Sequence, residues 1–325
     1  MNRNEKHRIA VAGSVLVDRI KTIDDYPLCG QLVQIRSADR AVGGCVPNVA
    51  LDLKAIRPEL DVFAVGTVGN DSDGTFAAET MRQGGVDVSH LTVLPELQTS
   101  FTDVMSIPGG QRTFFTYPGA SSVFGDVHVP LKEIMPDLLH LGYFLLLDTV
   151  DNGDGLKILQ KASELGIPTS IDLVTENSDR YSLVLPCLPY TDYLIINEAE
   201  AGKLTGITPS RQNLEAIARK LMNLGVRKKV IIHMAECAVC LSSSGFSMLP
   251  SYRLPEGYIQ GTTGAGDAFC AGALCGILSS WDDLQILAFA SSCAVMALGK
   301  PDATSGLKTE QEITAFCEPL SRIIL

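Results

Sequence analysis

The chain has no basic run longer than Arg227-Lys228-Lys229, and its acidic residues outnumber its basic ones by 37 to 26. The net charge of −11 disfavours phosphate backbones and anionic lipid surfaces, so neither nucleic acid nor membrane is an expected partner. No apolar leader opens it: residues 1–7 are polar and run directly into the first apolar stretch. No segment reaches the roughly 20 apolar residues of a membrane span. The two richest, 268–278 and 284–298, contain small or polar positions and read as buried helices. A cytoplasmic location is expected. No Gly-x-Gly-x-x-Gly follows the first strand and no P-loop occurs, which counts against a dinucleotide enzyme. The five histidines form no ligand cluster; His7 and His90 are expected at the surface and His140 in a structural place. Cys237-Ala238-Val239-Cys240 lacks the second pair or flanking histidine that zinc requires. The cysteines number an odd nine and sit mostly in apolar surroundings, which suits reduced thiols used as small core residues.

What is present is ample core. In 325 residues, 46% hydrophobic, an α/β chain folds without needing a second domain, and we expect one domain over 1–325. Strands are predicted at 9–15, 62–68, 138–147, 168–171, 193–196 and 230–233. Helices are predicted at 48–55, 74–83, 154–165, 198–204 and 213–224. Apolar runs separated by amphipathic stretches predict a mainly parallel sheet covered on both faces. Segments 33–42 and 100–116 alternate like exposed strands, and Pro108-Gly109-Gly110 is a hairpin signal. They predict a small β lid, its segments spanning about 16–42 and 98–118. Ligands of open parallel sheets bind outside the carboxyl ends of the strands. Those ends here carry Asp18, Asp148, Asp172, Asn197 and His233.

The most informative stretch is Thr262-Thr263-Gly264-Ala265-Gly266-Asp267-Ala268-Phe269. Gly264, Ala265 and Gly266 leave backbone N–H groups bare at the start of a small, apolar helix, where an anion binds well. A carboxylate beside a bound phosphate makes sense when it takes a proton from an attacking hydroxyl. An acid after a two-glycine turn also opens many ordinary helices. The first-turn position predicts that Asp267 has a lowered pKa and is an ionised, weak base.

This stretch resembles the C-terminal signature of the ribokinase-like (PfkB-type) carbohydrate kinases. Gly43-Gly44-Cys45-Val46-Pro47-Asn48-Val49-Ala50 resembles their N-terminal signature, followed at the family spacing by Gly66-Thr67-Val68-Gly69-Asn70-Asp71-Ser72-Asp73-Gly74. Asn197-Glu198-Ala199-Glu200 resembles their Asn-x-x-Glu element. The resemblance implies a three-layer α/β fold with a β lid, Mg²⁺-ATP as co-substrate, and lids that pair into a homodimer. It implies Asp267 as base, with Gly264, Ala265 and Gly266 as anion cradle. Asp18, Gly43, Gly44 and Asn48 would hold sugar hydroxyls, with Asp148 a further candidate. Asn197 and Glu200 would hold Mg²⁺ through water, and His233, Thr263, Gly264, Gly266 and Ser291 would line the nucleotide site. Asp172, Arg112 and Arg180 are further candidates, the arginines for an anionic substrate or phosphate.

Three departures stand out. Gly261 replaces the Asp that usually opens the C-terminal signature, which argues against monovalent-cation activation. His233-Met234-Ala235-Glu236-Cys237-Ala238 lacks both glycines of the usual nucleotide loop, and Asp302 replaces a common Gly. The expected function is phosphoryl transfer from ATP to a sugar hydroxyl. Its rivals are a nucleoside kinase of the same fold, with Phe101, Phe114, Phe115 and Tyr117 as base platform, and a catalytically silent sugar-binding regulator.

Overall fold

The computed structural model describes residues 6–108, 112–176 and 178–325. These form strands β1 (Arg8–Ala12), β2 (Leu16–Ile23), β3 (Ile35–Gly43), β4 (Asp61–Gly69), β5 (Leu91–Leu94), β6 (Ser100–Ser106), β7 (Arg112–Tyr117), β8 (Leu138–Phe144), β9 (Thr169–Leu173), β10 (Tyr193–Asn197), β11 (Lys229–His233), β12 (Cys237–Ser242) and β13 (Gly245–Pro250). The helices are α1 (Cys45–Ile56), α2 (Ser72–Gln83), α3 (Leu131–Ile134), α4 (Gly155–Glu164), α5 (Glu198–Thr205), α6 (Leu214–Asn223), α7 (Ala265–Leu278), α8 (Asp283–Leu298) and α9 (Glu310–Cys317).

Side chains alternate across a strand, and here both faces of the central sheet are apolar. In β1, Ile9 and Val11 enter one core and Ala10 and Ala12 the other; in β11, Ile231 and the pair Val230 and Ile232 divide the same way. Helices α1, α7 and α8 cover the first core, and α4, α5 and α6 the second. The result is a three-layer α/β sandwich on a nine-stranded sheet, ordered β13-β12-β11-β10-β9-β8-β1-β4-β5. Pairings from β5 through β11 are parallel, and β12 and β13 add an antiparallel edge. Cys237 and Cys240 point into opposite cores, so this pair makes no metal knuckle.

A second, four-stranded sheet is ordered β3-β2-β6-β7. The strand predicted at 9–15 stops at Ala12, where Gly13 at φ +145 turns the chain out into β2. The strand predicted at 138–147 also ends early, at Phe144, because Tyr143 and Leu145 adopt positive φ of 60° and 77°. The hairpin turn expected at Pro108-Gly109-Gly110 lies largely outside the described residues, between antiparallel β6 and β7.

Candidate active site

The carboxyl ends of β9, β10 and β11 and the start of α7 enclose a cavity of about 210 Å³. Its lining includes Asp267, Gly264, Gly266, Asn197, Glu200 and His233, which the sequence analysis had proposed together, and also Asp172. Gly264 caps α7 at φ +79, and a Cβ there would lie 2.5 Å from Ala303. Packing and backbone both require that glycine. Gly266 differs. A Cβ on it would meet only His233, at 3.8 Å, so its bareness leaves room in the cavity rather than relieving a clash. The first N–H groups of a helix have no intrahelical acceptor, and at α7 those of Gly266 and Asp267 sit at this opening.

Asp267 is 6% exposed and lines the cavity. Its Oδ2 accepts from Asn48 Nδ2 at 2.9 Å, and the Tyr143 hydroxyl donates to both oxygens, at 2.9 and 3.0 Å. Asn48 stands in the first turn of α1, and its Oδ1 is buried without a partner among the described residues. The lowered pKa expected from the helix start is not found. Burial, reinforced by the nearby Asp172 charge, pushes Asp267 up to about 7, against the pull of Asn48 and Tyr143. A carboxyl near 7 is a stronger base than the sequence implied.

Asn197 and Glu200 are bound to each other. Asn197 caps α5, accepting from Glu200 N at 2.9 Å, while Glu200 Oε2 accepts from Asn197 N at 3.0 Å. Glu200 Oε1 also accepts from Thr175 Oγ1 at 2.7 Å and Asn197 Nδ2 at 2.8 Å. Burial raises Glu200 to about 7. His233 ends β11 with its ring 4.8 Å from that of Phe269, and burial lowers it to about 4, so it is neutral at physiological pH. The loop after it is a tight turn, closed by Met234 N donating to Cys237 O at 2.9 Å.

Asp18 lies in β2, where burial raises its pKa to about 6. A Cβ on Gly43 would fall 2.7 Å from Asp18 Oδ2, so bare Gly43 backbone and this carboxylate form one surface. Gly44, at φ +88, packs against Ser14. Asp148 is not at a strand end: β8 stops four residues earlier, and Asp148 is exposed outside the cavity lining. Ser291 lies inside α8, donates to Leu287 O at 2.7 Å and is not among the residues lining the cavity. Thr263 and Ala265 flank the cavity without lining it. Thr263 accepts from Arg112 Nη1 of the small sheet at 3.3 Å, so that arginine reaches the loop that opens α7. Arg180 is held elsewhere, by Glu176 and the Leu145 carbonyl.

Tyr143 and Thr175 are the residues that sequence reasoning missed. Tyr143 reads as an apolar strand residue. Its positive φ, which turns the hydroxyl onto Asp267, has no local signal in the sequence.

The pfkB family of carbohydrate kinases matches residues 6–310. The chain belongs to this family and is a carbohydrate kinase. It is 26% identical over 312 residues to an ATP-dependent ribose-1-phosphate kinase of Halopiger xanaduensis, covering 95% of this chain and 97% of that protein. It is 27% identical over 291 residues to an adenosine kinase of Saccharomyces cerevisiae (86% and 84%). In fold it is similar to Arabidopsis thaliana ribokinase complexed with ribose and ATP, at TM-score 0.83, 20% identity and 96% and 98% coverage. It is also similar to a Burkholderia thailandensis nucleoside kinase in complex with inosine, at TM-score 0.75, 20% identity and 95% and 96% coverage. Among the described residues no helix is long and apolar enough to cross a membrane.

Proposed function

We propose that the protein transfers the γ-phosphate of ATP to a hydroxyl of a sugar or sugar-like molecule, with Asp267 as general base. The observation that carries this reading is the shared cavity of Asp267 and the open Gly266 backbone. The sugar would rest on Asp18, Gly43 and Asn48, where the orphan Oδ1 of Asn48 can accept from a hydroxyl. Asp267 takes the hydroxyl proton as its oxygen bonds to the γ-phosphorus, and ADP leaves as the bond to its β-phosphate oxygen breaks. The amides of Gly266 and Asp267 stabilise charge on the transferred group.

Magnesium fits the far rim. Asn197, Glu200 and Thr175 offer oxygen donors, the hard set that this ion takes. Because Glu200 already accepts three bonds, they would hold it through water. Bound there, magnesium would neutralise phosphate charge. Gly261 packs within 2.8 Å of Lys300 O at its Cβ position, which leaves no room for the usual Asp, and we expect turnover to be indifferent to potassium.

A sugar is favoured over a nucleoside. Strand register places Asp18 beside Thr102, and Thr102 opposite Thr116, so alternation turns Phe101, Phe115 and Tyr117 to the other face and leaves Phe114 alone of the four on the Asp18 side. Arg19 already stacks on Phe101 at 3.7 Å. The test is ADP release across pentoses, hexoses, sugar acids and nucleosides. A sugar or sugar acid should give the highest kcat/KM; nucleoside-only turnover would replace this substrate class, and no turnover despite ligand-induced stabilisation would indicate a silent binder. The exposed Leu32, Ile35, Phe114 and Phe115 of the small sheet and its loop suit lid pairing between two copies, which light scattering of the purified chain checks directly.

A further inference from the structure

Two polar residues stand where the alternation of the central sheet calls for aliphatic ones. Along β8, Leu139 and Leu141 enter one core, and His140 between them faces the other. Along β9, Asp172 lies between Ile171 and Leu173 in the same way. Pairing of His140 with Ser170 and Leu141 with Ile171 brings both onto one side, beneath α1 and α7. There they meet Cys45, the first residue of α1, and Cys270, one turn beyond Asp267. Cys45 and His140 are 0% exposed, Cys270 2% and Asp172 7%. His140 Nε2 lies 3.5 Å from Asp172 Oδ2 and 3.7 Å from Cys270 Sγ. The ligand atoms of Cys45, His140 and Asp172 all fall within 4.8 Å of one another. Among the described residues no other group of His, Cys, Asp and Glu converges in this way.

We propose that Cys45, His140 and Asp172 form a binding site for a thiophilic divalent cation, zinc above all, with Cys270, 3.7 Å from His140 Nε2 but outside the set that converges within 4.8 Å, closing onto the ion as fourth ligand. Tetrahedral zinc with bonds of about 2.3 Å to sulfur and about 2.0–2.1 Å to nitrogen or oxygen needs ligand–ligand edges of roughly 3.3–3.8 Å. The two separations from His140 Nε2, 3.5 and 3.7 Å, match those edges, and the others, bounded only by 4.8 Å within the Cys45, His140 and Asp172 set, contract as the ion binds. The donor set of two thiols, an imidazole and one carboxylate suits zinc and excludes magnesium, which takes oxygen. The surroundings hold these ligands in place. His140 Nδ1 is 3.3 Å from Ser170 Oγ, which leaves Nε2 for the cluster, and Asp172 Oδ1 accepts from Tyr143 N at 2.6 Å. Such outer partners orient metal ligands. Gly142 keeps the space open, since a Cβ there would fall 1.9 Å from Cys45 Sγ and 2.9 Å from Asp172 Oδ1.

Cys270 and Asp172 line the active-site cavity, which gives a cation its route in. Binding releases the two thiol protons to solvent while the imidazole stays neutral. Once Cys270 supplies the fourth ligand, the site is closed and structural. It clamps the start of α1, which carries Asn48, to α7, which carries Asp267.

The test titrates the metal-stripped full chain with cobalt(II), a coloured probe for tetrahedral zinc sites. One equivalent should give visible tetrahedral bands and a sulfur-to-cobalt charge-transfer band, both bleached by one equivalent of zinc. Cys45→Ser and Cys270→Ser should each weaken the charge-transfer band and lower zinc affinity by more than about 100-fold, and Ser170→Ala by about 10–100-fold. Each variant's metal-free melting temperature reports its fold separately. Cys237→Ser, in β12, should leave spectrum and affinity unchanged. A colourless titration, or a spectrum unmoved by Cys45→Ser and Cys270→Ser in folded protein, overturns the site.

Discussion

At the scale of single residues, Asp267, as the proposed base, sets the expected pH behaviour. A base held near 7 must lose its proton before it can act, so kcat/KM should fall as pH drops below about 7 and level off above it. Tyr143 and Asn48 donate to the carboxylate and oppose its raised pKa. Tyr143→Phe should therefore move the acid limb to higher pH, read from kcat/KM profiles; a profile that stays in place or moves down would contradict the Tyr143 contact. The identities of Asp267, Asn48, Asn197 and Glu200 were legible from motif spacing. The basicity of Asp267 was not. Its cause is burial beside Asp172, a residue 95 positions away that only the sheet brings near.

At the scale of elements, the cap and first turn of α7 hold two glycines with different reasons to exist. Gly264→Ala puts a side chain at φ +79 against Ala303 and should destabilise the fold by roughly 1–3 kcal/mol, measured by urea unfolding. Gly266→Ala enters open space and favours helix, so stability should hold or rise by up to about 1 kcal/mol. Its methyl group would crowd the proposed phosphate position, and kcat/KM should fall by about 10²-fold. Equal losses of stability in the two variants would remove the distinction. The parallel strands were legible because buried β-strands are continuous apolar runs, as in Val230-Ile231-Ile232. Where local signals conflicted, the sequence misled. The apolar run through Leu147 concealed the chain reversal at Tyr143 and Leu145, which misplaced Asp148. Strand β2, partly buried and carrying Asp18, Arg19 and Lys21, lacked the alternation that marked β3 and β6. The antiparallel edge β12–β13 went unpredicted as well, its cysteines reading as isolated core residues.

At the scale of the whole molecule, acids held protonated by burial shape stability. Asp52 of α1 is 0% exposed with neither oxygen bonded among the described residues, and burial raises its pKa well above the usual range. Glu200, Asp267 and Asp18 are raised to about 7, 7 and 6. A folded state that retains protons the unfolded chain releases near pH 4 loses stability as pH rises through that interval. His233, lowered to about 4, works the other way below its unfolded pKa near 6.5, and carboxylates held low by their partners, such as Asp71 and Asp283, do so only below about pH 4. Melting temperature should therefore be higher at pH 5.5 than at pH 8. Asp52→Ala should stabilise the protein by about 1–3 kcal/mol at pH 8 and by less at pH 5; a destabilised variant at both would show that the carboxyl has a partner in solution. Active-site chemistry and fold thus share the interior between α1 and α7. The most direct measurement is single-turnover phosphoryl transfer by Asp267→Asn with the best sugar from the ADP-release screen. Sugar and ATP should still bind, while the rate should fall by about 10²–10⁴-fold. A rate within a few-fold of the unmodified protein would contradict the account, because the proton would then be leaving by another route.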